Sequence, residues 1–419
     1  MSDNLSEVLF SEKHNVRETS TLIINSASKK NTKVAAENLD GHEQAGWYRI
    51  LKLLQWAWQG LDIIDCYEVL AKISASTNER TDPDLLDTVI GFRKGNWSYE
   101  WSKKAMHYQR QANSFVEQDQ PEKAKQAYYL ASQLYSVASY PHLKGDDSSI
   151  QAQTLAFNNY SNSFKYTKDA LLKIIEVPFE GKQVRCYLHL PNDDTIHPVA
   201  IVSAGVDALQ CDLLPLFEKQ LKPAGIAMLT VDMPGVGFSN HVKLDQDTSR
   251  LHQAILHYMR KVPWVDQARV ALMGTRMGGN ALTRLGFVEP KLVRAVVSVG
   301  AAVASVFDKY ENFSKLPIMT LDCLASRMQL QSSDADLLYR HCVPFSLLKQ
   351  GLLGRKKVKI PLLSIGHAQD IMCNEQDLQL IARTSYGSEA KIIDKSPIFD
   401  AYLRSLEYSA QWLGQHLQE

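Results

Sequence analysis

Apolar side chains between residues 46 and 70 recur at helical spacing (Trp47, Ile50, Leu51, Leu54, Trp58, Leu61), and this predicts a helix. Similar patterns cover 99–116 and 121–140, the second opened by Pro121, whose fixed φ suits a first helical turn. Ala105, Tyr108, Ala112 and Phe115 can face Ala124, Ala127, Tyr128, Ala131 and Leu134 across the short link 117–120, as in an antiparallel helix pair. No second copy follows at about thirty-four residues, so the pair is packing rather than the start of a solenoid. Residues 1–40 are rich in Ser, Asn, Lys and Glu without period, which predicts a loosely ordered arm.

After Asp169 the period changes. Short strands at 174–178 and 184–190 flank a turn at 180–182, and apolar runs follow at 199–203, 227–231, 270–273, 293–299 and 361–365, separated by helical stretches. Strands alternating with helices predict a mostly parallel sheet covered on both faces. From 304 to about 359 strand signals vanish and Leu, Met and Phe return at helical spacing, so this segment reads as a helical lid.

Composition narrows the function classes. Forty-six Lys and Arg balance forty-six Asp and Glu, which leaves no global field for nucleic acid or an anionic membrane. No apolar run approaches the roughly eighteen residues of a membrane span, and the polar N-terminus lacks a signal-peptide pattern, so a cytoplasmic protein is expected. The six cysteines have no metal-ligand spacing and no glycine-rich phosphate loop is present, which favours action without a metal or cofactor.

The sharpest local signal is a strand at 269–273 running into Gly274-Thr275-Arg276-Met277-Gly278-Gly279 and then a helix. This is the frame of a nucleophile elbow, where small residues let strand and helix approach and a strained central residue is held into a pocket. The central residue here is Arg276. Residues 229–239 add a strand and the turn Asp232-Met233-Pro234-Gly235-Val236-Gly237-Phe238-Ser239, in the order an α/β hydrolase requires.

With the tryptophans at 47, 56, 58, 97 and 101, the GTRMGG elbow and the DMPGVGFS turn, the chain resembles the fermentation-respiration switch protein family, FrsA, over most of its length. The resemblance implies an N-terminal helical domain (41–164) joined to an α/β-hydrolase domain (165–419) with its lid at about 305–357. It also implies hydrolysis of carboxylic esters and, from the enterobacterial members, a link to the glucose-specific IIA protein of the sugar phosphotransferase system.

The residues themselves do not supply an ordinary triad. Asp370, after the strand at 361–365, meets the requirement for the acid, although it could equally cap the turn before Asn374. Beyond it the one histidine is His416, near the chain end on an amphipathic helix, while the loop at 394–399 has no imidazole. Ser203, Thr275, His341 and His367 are possible stand-ins that read more simply as core or loop polar groups.

An arginine cannot attack or accept a proton at neutral pH, but it can hold a carboxylate through two hydrogen bonds. The Met277 amide at the helix start, with the loop Gly205, Val206 and Asp207 after the first central strand, is expected to line an anion site. Asp207 is expected to face Arg276. The pair could be scaffold, each charge neutralising the other. Arg276 could instead anchor a carboxyl or carbonyl while Asp207 moves a proton, or the pocket could have lost chemistry and serve regulation. Three functions stay open: hydrolysis of a small ester or action on a small carboxyl compound through Arg276, Asp207 and Asp370; a non-catalytic regulator that binds a IIA protein; and a cofactor-independent lyase or decarboxylase on a small 2-oxo acid.

Overall fold

The computed structural model describes residues 37–38, 41–166, 171–354, 358–393 and 398–418. Nearly all of the arm expected at 1–40, and the 394–397 part of the loop that lacks an imidazole, lie outside them.

Eight strands form one sheet: β1 (Leu171–Phe179), β2 (Lys182–Leu190), β3 (His197–Ser203), β4 (Ala227–Thr230), β5 (Val265–Thr275), β6 (Ala295–Val299), β7 (Leu362–His367) and β8 (Glu389–Ile393). Their spatial order is β8-β7-β6-β5-β3-β4-β2-β1. β2 runs antiparallel to both β1 and β4, and the other pairings are parallel. Successive side chains of a strand point to opposite faces, so a sheet covered on both sides needs apolar residues in both registers. β3 shows this: Ala200 and Val202 join one buried cluster, Val199 and Ile201 the other.

The first of these clusters extends into a helical region built of α1 (Leu53–Trp58), α2 (Ile63–Ser74), α3 (Trp97–Glu117), α4 (Pro121–Ser139) and α5 (Asp147–Ser163). α3 and α4 form an antiparallel pair in which Ala105, Ala112, Ala124 and Ala131 have no exposed surface. Small residues at the seam let the helices approach, and Tyr135 and Tyr128 close it by donating to Gln109 and Asn113 at 2.9 and 2.8 Å.

The single helix expected at 46–70 is two short ones preceded by an irregular, non-helical segment. Gly60, at φ +103°, ends α1, and the Asp62 carboxylate caps α2 by accepting from the Ile64 N–H at 2.7 Å. Residues 48–52 lie buried on every side, at 1–6% exposure. A segment buried all round shows no face to solvent, so its apolar spacing cannot distinguish helix from strand. Two elements have no counterpart in the sequence expectation. The edge strand β8 is half-exposed and short, and α5 is polar along most of its length, its start set by Asp146 accepting from the Ser149 N–H at 3.1 Å.

Between β6 and β7 the chain is helical, with α8 (Ile318–Arg327) and α9 (Ala335–Cys342) preceded by two one-turn helices. The remaining helices of the hydrolase region are α6 (Arg250–Tyr258), α7 (Arg276–Val288), α10 (Glu375–Arg383) and α11 (Ile398–Gln418).

Candidate functional site

The parallel register brings Ser203, at the end of β3, beside Gly274 of β5, and Thr275 beside Val299 of β6. The loops leaving these strands therefore gather at one edge of the sheet, where ligands of open α/β sheets bind. At the strand-to-helix junction Arg276 takes φ +55°, a left-handed conformation that a side chain rarely adopts. The neighbouring glycines explain how such a turn is tolerated. A Cβ on Gly278 would stand 2.2 Å from the Ser203 carbonyl oxygen, and one on Gly274 2.4 Å from the Gly278 carbonyl oxygen. Strand and helix could not close to this distance with any other residue at either position.

Arg276 is buried, at 5% exposure, and its Nη1 donates to Asp370 Oδ1 at 2.7 Å. The same carboxylate oxygen accepts the Met372 and Cys373 N–H groups, each at 2.9 Å. Asp370 thus caps its turn and pairs with the elbow residue at once. In a serine triad a histidine stands between nucleophile and acid; here the arginine side chain spans that interval and reaches the acid position directly.

Arg276 and Met277 share a cavity of about 30 Å3 with Gly205, Val206, Asp207, Met372, Ile50, Lys52, Thr320 and Cys323. By this measure a water needs about 10–15 Å3, so the cavity admits two or three waters or the acetyl end of a small ester. A Cβ on Gly205 would lie 2.9 Å from Asp207 Oδ1 and 3.5 Å from the Arg276 Cβ, so both side chains flank the same glycine.

They do not pair with one another as the sequence suggested. Among the described residues Asp207 has one ion-pair partner, Lys52, whose Nζ lies 2.8 Å from Oδ2. The reason is the non-helical segment 48–52, which carries a cation to Asp207 in the loop after β3, while the guanidinium of Arg276 turns toward Asp370 after β7. Lys52 was missed because its stretch reads as helix and carries no motif. The burial of Ile50, Leu51 and Lys52 together was the one signal, and it is visible only in three dimensions.

A second buried arginine organises the walls. Arg327, at the end of α8, donates to the carbonyl oxygens of Val206 (2.9 Å), Pro141 (2.7 Å), His142 (2.6 Å) and Gly235 (3.3 Å). It ties the loop after β3, the DMPGVGFS turn and the end of the helical region to one guanidinium. Around it burial pushes the Cys323 thiol up to about 12, so this sulfur is no nucleophile at neutral pH. Burial, helped by Arg327, holds His142 well below the usual imidazole range.

The stand-in residues lie elsewhere. The Ser203 hydroxyl donates to the Val231 carbonyl at 3.2 Å, and His367 Nδ1 accepts from the Gln369 N–H at 3.2 Å. His341 is on the exposed side of α9, and His416 stacks on Trp412 with ring centroids 3.9 Å apart. Neither these residues nor Thr275, the last residue of β5, lines the cavity.

Comparison with known proteins shows the family and the fold. A family model described as Esterase FrsA-like matches residues 1–418. Esterase FrsA of Photobacterium profundum is 43% identical over 418 residues, covering 99% of this chain and 98% of that protein. Esterase FrsA of Yersinia pestis (strain Pestoides F) is 38% identical over 416 residues, covering 99% of each. In fold the chain is similar to 2,6-dihydroxy-pseudo-oxynicotine hydrolase, with TM-score 0.69 at 15% identity over 87% of this chain and 95% of that one. It is also similar to AbyA5, with TM-score 0.62 at 18% identity over 87% and 98%. The sheet, its flanking helices and the N-terminal helical region are those of the α/β-hydrolase architecture that the sequence implied.

Proposed function

Since the chain belongs to the FrsA-like esterase family, we propose that it hydrolyses small carboxylic esters by direct attack of water, with Asp207 as proton acceptor and Arg276 as the charge that stabilises the oxyanion. The observation that carries this reading is the shared cavity, in which a carboxylate oxygen and the elbow arginine both lie within 4 Å of the space beside Gly205. Asp207 Oδ1 accepts a proton from water while the water oxygen bonds to the acyl carbon. The carbonyl oxygen takes the negative charge, facing Arg276 and the amides of Met277 and Val206, the positions of an oxyanion hole in this fold. Collapse breaks the acyl–oxygen bond, and the leaving alkoxide recovers the proton from Asp207. Arg276 touches the developing charge, so it acts without giving up a proton, as a permanent cation must. Asp370 holds the guanidinium in place through the buried ion pair. The cavity volume favours acetyl-sized acyl groups.

The test is turnover of p-nitrophenyl acetate by the purified full-length protein against an identically prepared Arg276→Ala variant. Loss of one charged, partly buried anchor costs about 2–5 kcal/mol, so kcat/KM should fall by about 30-fold or more. Equal rates in the two proteins would end the Arg276-centred mechanism. A binding role without turnover has one observation in its favour, the Arg276–Asp370 pair, which holds the elbow guanidinium fixed at the cavity wall. It is the conclusion if the wild-type protein binds acetate yet hydrolyses no ester above a mock preparation.

A further inference from the structure

Residues 48–52 form an irregular strap whose polar groups are engaged by several surrounding elements. On one side the Tyr48 hydroxyl donates to Asp322 of α8 at 2.6 Å, and the Ile50 N–H donates to the thioether sulfur of Met319 at 3.4 Å. On the other side the Tyr48 and Arg49 N–H groups donate to the Asp87 carboxylate at 2.7 and 3.1 Å, and the Tyr140 hydroxyl donates to the Ile50 carbonyl at 3.0 Å. The strap cannot slide without stranding several of these buried groups. Its last residue delivers the Lys52 ammonium onto Asp207 Oδ2, with the Tyr140 ring 5.4 Å from Nζ. Oδ1 of Asp207 accepts no hydrogen bond from any described residue and lies beside Gly205 in the cavity wall. The Lys52 and Asp207 side chains are 5% and 17% exposed, so solvent screens the contact only weakly.

We propose that Lys52, a residue of the helical region, is a positioning residue of the hydrolase site: it holds one oxygen of Asp207 and aims the other at the cavity. This rests on the reading above, in which Asp207 takes the proton from water. The other charged or titratable groups that face Asp207 are Arg276 from α7, Cys323 and Arg327 from α8, and His142 and Asp212 around the small adjoining cavity. Lys52 alone among them contacts the carboxylate.

The experiment compares wild type, Lys52→Met and Lys52→Arg. In p-nitrophenyl acetate hydrolysis kcat should fall by about tenfold or more in Lys52→Met with KM little changed, as misplacement of a reacting group does, and recover most of the way in Lys52→Arg. Equal kcat in wild type and Lys52→Met overturns the proposal. A second readout is independent of turnover: the carboxyl carbon-13 resonance that disappears in Asp207→Asn should change position in Lys52→Met and return toward its wild-type position in Lys52→Arg. An unmoved resonance in Lys52→Met overturns the proposal even in an inactive protein. A moved resonance in a protein without ester turnover supports the Lys52–Asp207 pairing and refutes the esterase reading instead. Should Lys52→Met fail to fold, Lys52→Gln gives the same two readouts.

Discussion

Arg327 has no exposed surface, and replacing it with methionine should be unusually costly. Arg327→Met keeps much of the side-chain volume and removes every donor. The carbonyls of Val206, Pro141 and His142, bonded at 2.6–2.9 Å, then lose a charged partner. Each buried acceptor left unpaired costs about 1–3 kcal/mol. Against this, a buried guanidinium carries a desolvation penalty of several kcal/mol that methionine does not. The balance is a loss of about 3 kcal/mol, at the upper end of ordinary single substitutions. Arg327→Lys should recover only part of it, because a point charge cannot address carbonyls from separate segments as a planar fork does. Urea unfolding of the three proteins, followed by fluorescence of the buried tryptophans, measures the difference. Since Val206 and Asp207 are consecutive, kcat/KM should fall in Arg327→Lys even at temperatures where the variant is fully folded. A loss below about 1 kcal/mol in Arg327→Met, within the range of one ordinary hydrogen bond, would refute the view that this guanidinium organises the site.

Other outcomes are equally specific. Burial lowers His189 to about 4 from its ordinary value of 6.5. The unfolded chain therefore binds a proton between these values that the folded one refuses, and this contribution to stability is complete above pH 6.5 and is lost as pH falls toward 4. It amounts to about 3 kcal/mol; His189→Gln should flatten the pH dependence of unfolding free energy in that window, and an unchanged slope would contradict the assignment. Gly278→Ala forces a Cβ to within 2.2 Å of a backbone oxygen, so it should destabilise by about 3 kcal/mol or more, as overpacking against backbone does. A Gly278→Ala protein as stable as wild type would show that the elbow is looser than described.

Strands β3 to β7 were legible because a parallel sheet buried on both faces writes itself as continuous apolar runs. The elbow was legible because its glycines answer to a steric demand that no other residue meets. What escaped the sequence was of two kinds. Half-exposed or polar elements, β8 and α5, carry little periodicity. The partners of charged residues depend on which segments meet in space: Asp370 and Lys52 lie 94 and 155 positions from the arginine and aspartate they pair with. Asp207 could be paired with Arg276 on paper because both belong to the same sheet edge, and only the strap at 48–52 shows why each takes another partner. The same holds for Arg327, which sits in a stretch readable as helix and no more.

In the proposed mechanism water attacks the ester directly, with no acylated side chain on the path. The most direct measurement is intact-protein mass spectrometry on samples quenched during steady-state hydrolysis of p-nitrophenyl acetate. Direct attack by water requires wild-type protein of unchanged mass at every time point while product accumulates, and loss of that product in Asp207→Asn. A stoichiometric acetyl adduct, formed and discharged at the rate of turnover and mapped to a single serine, cysteine or other side chain, would contradict it.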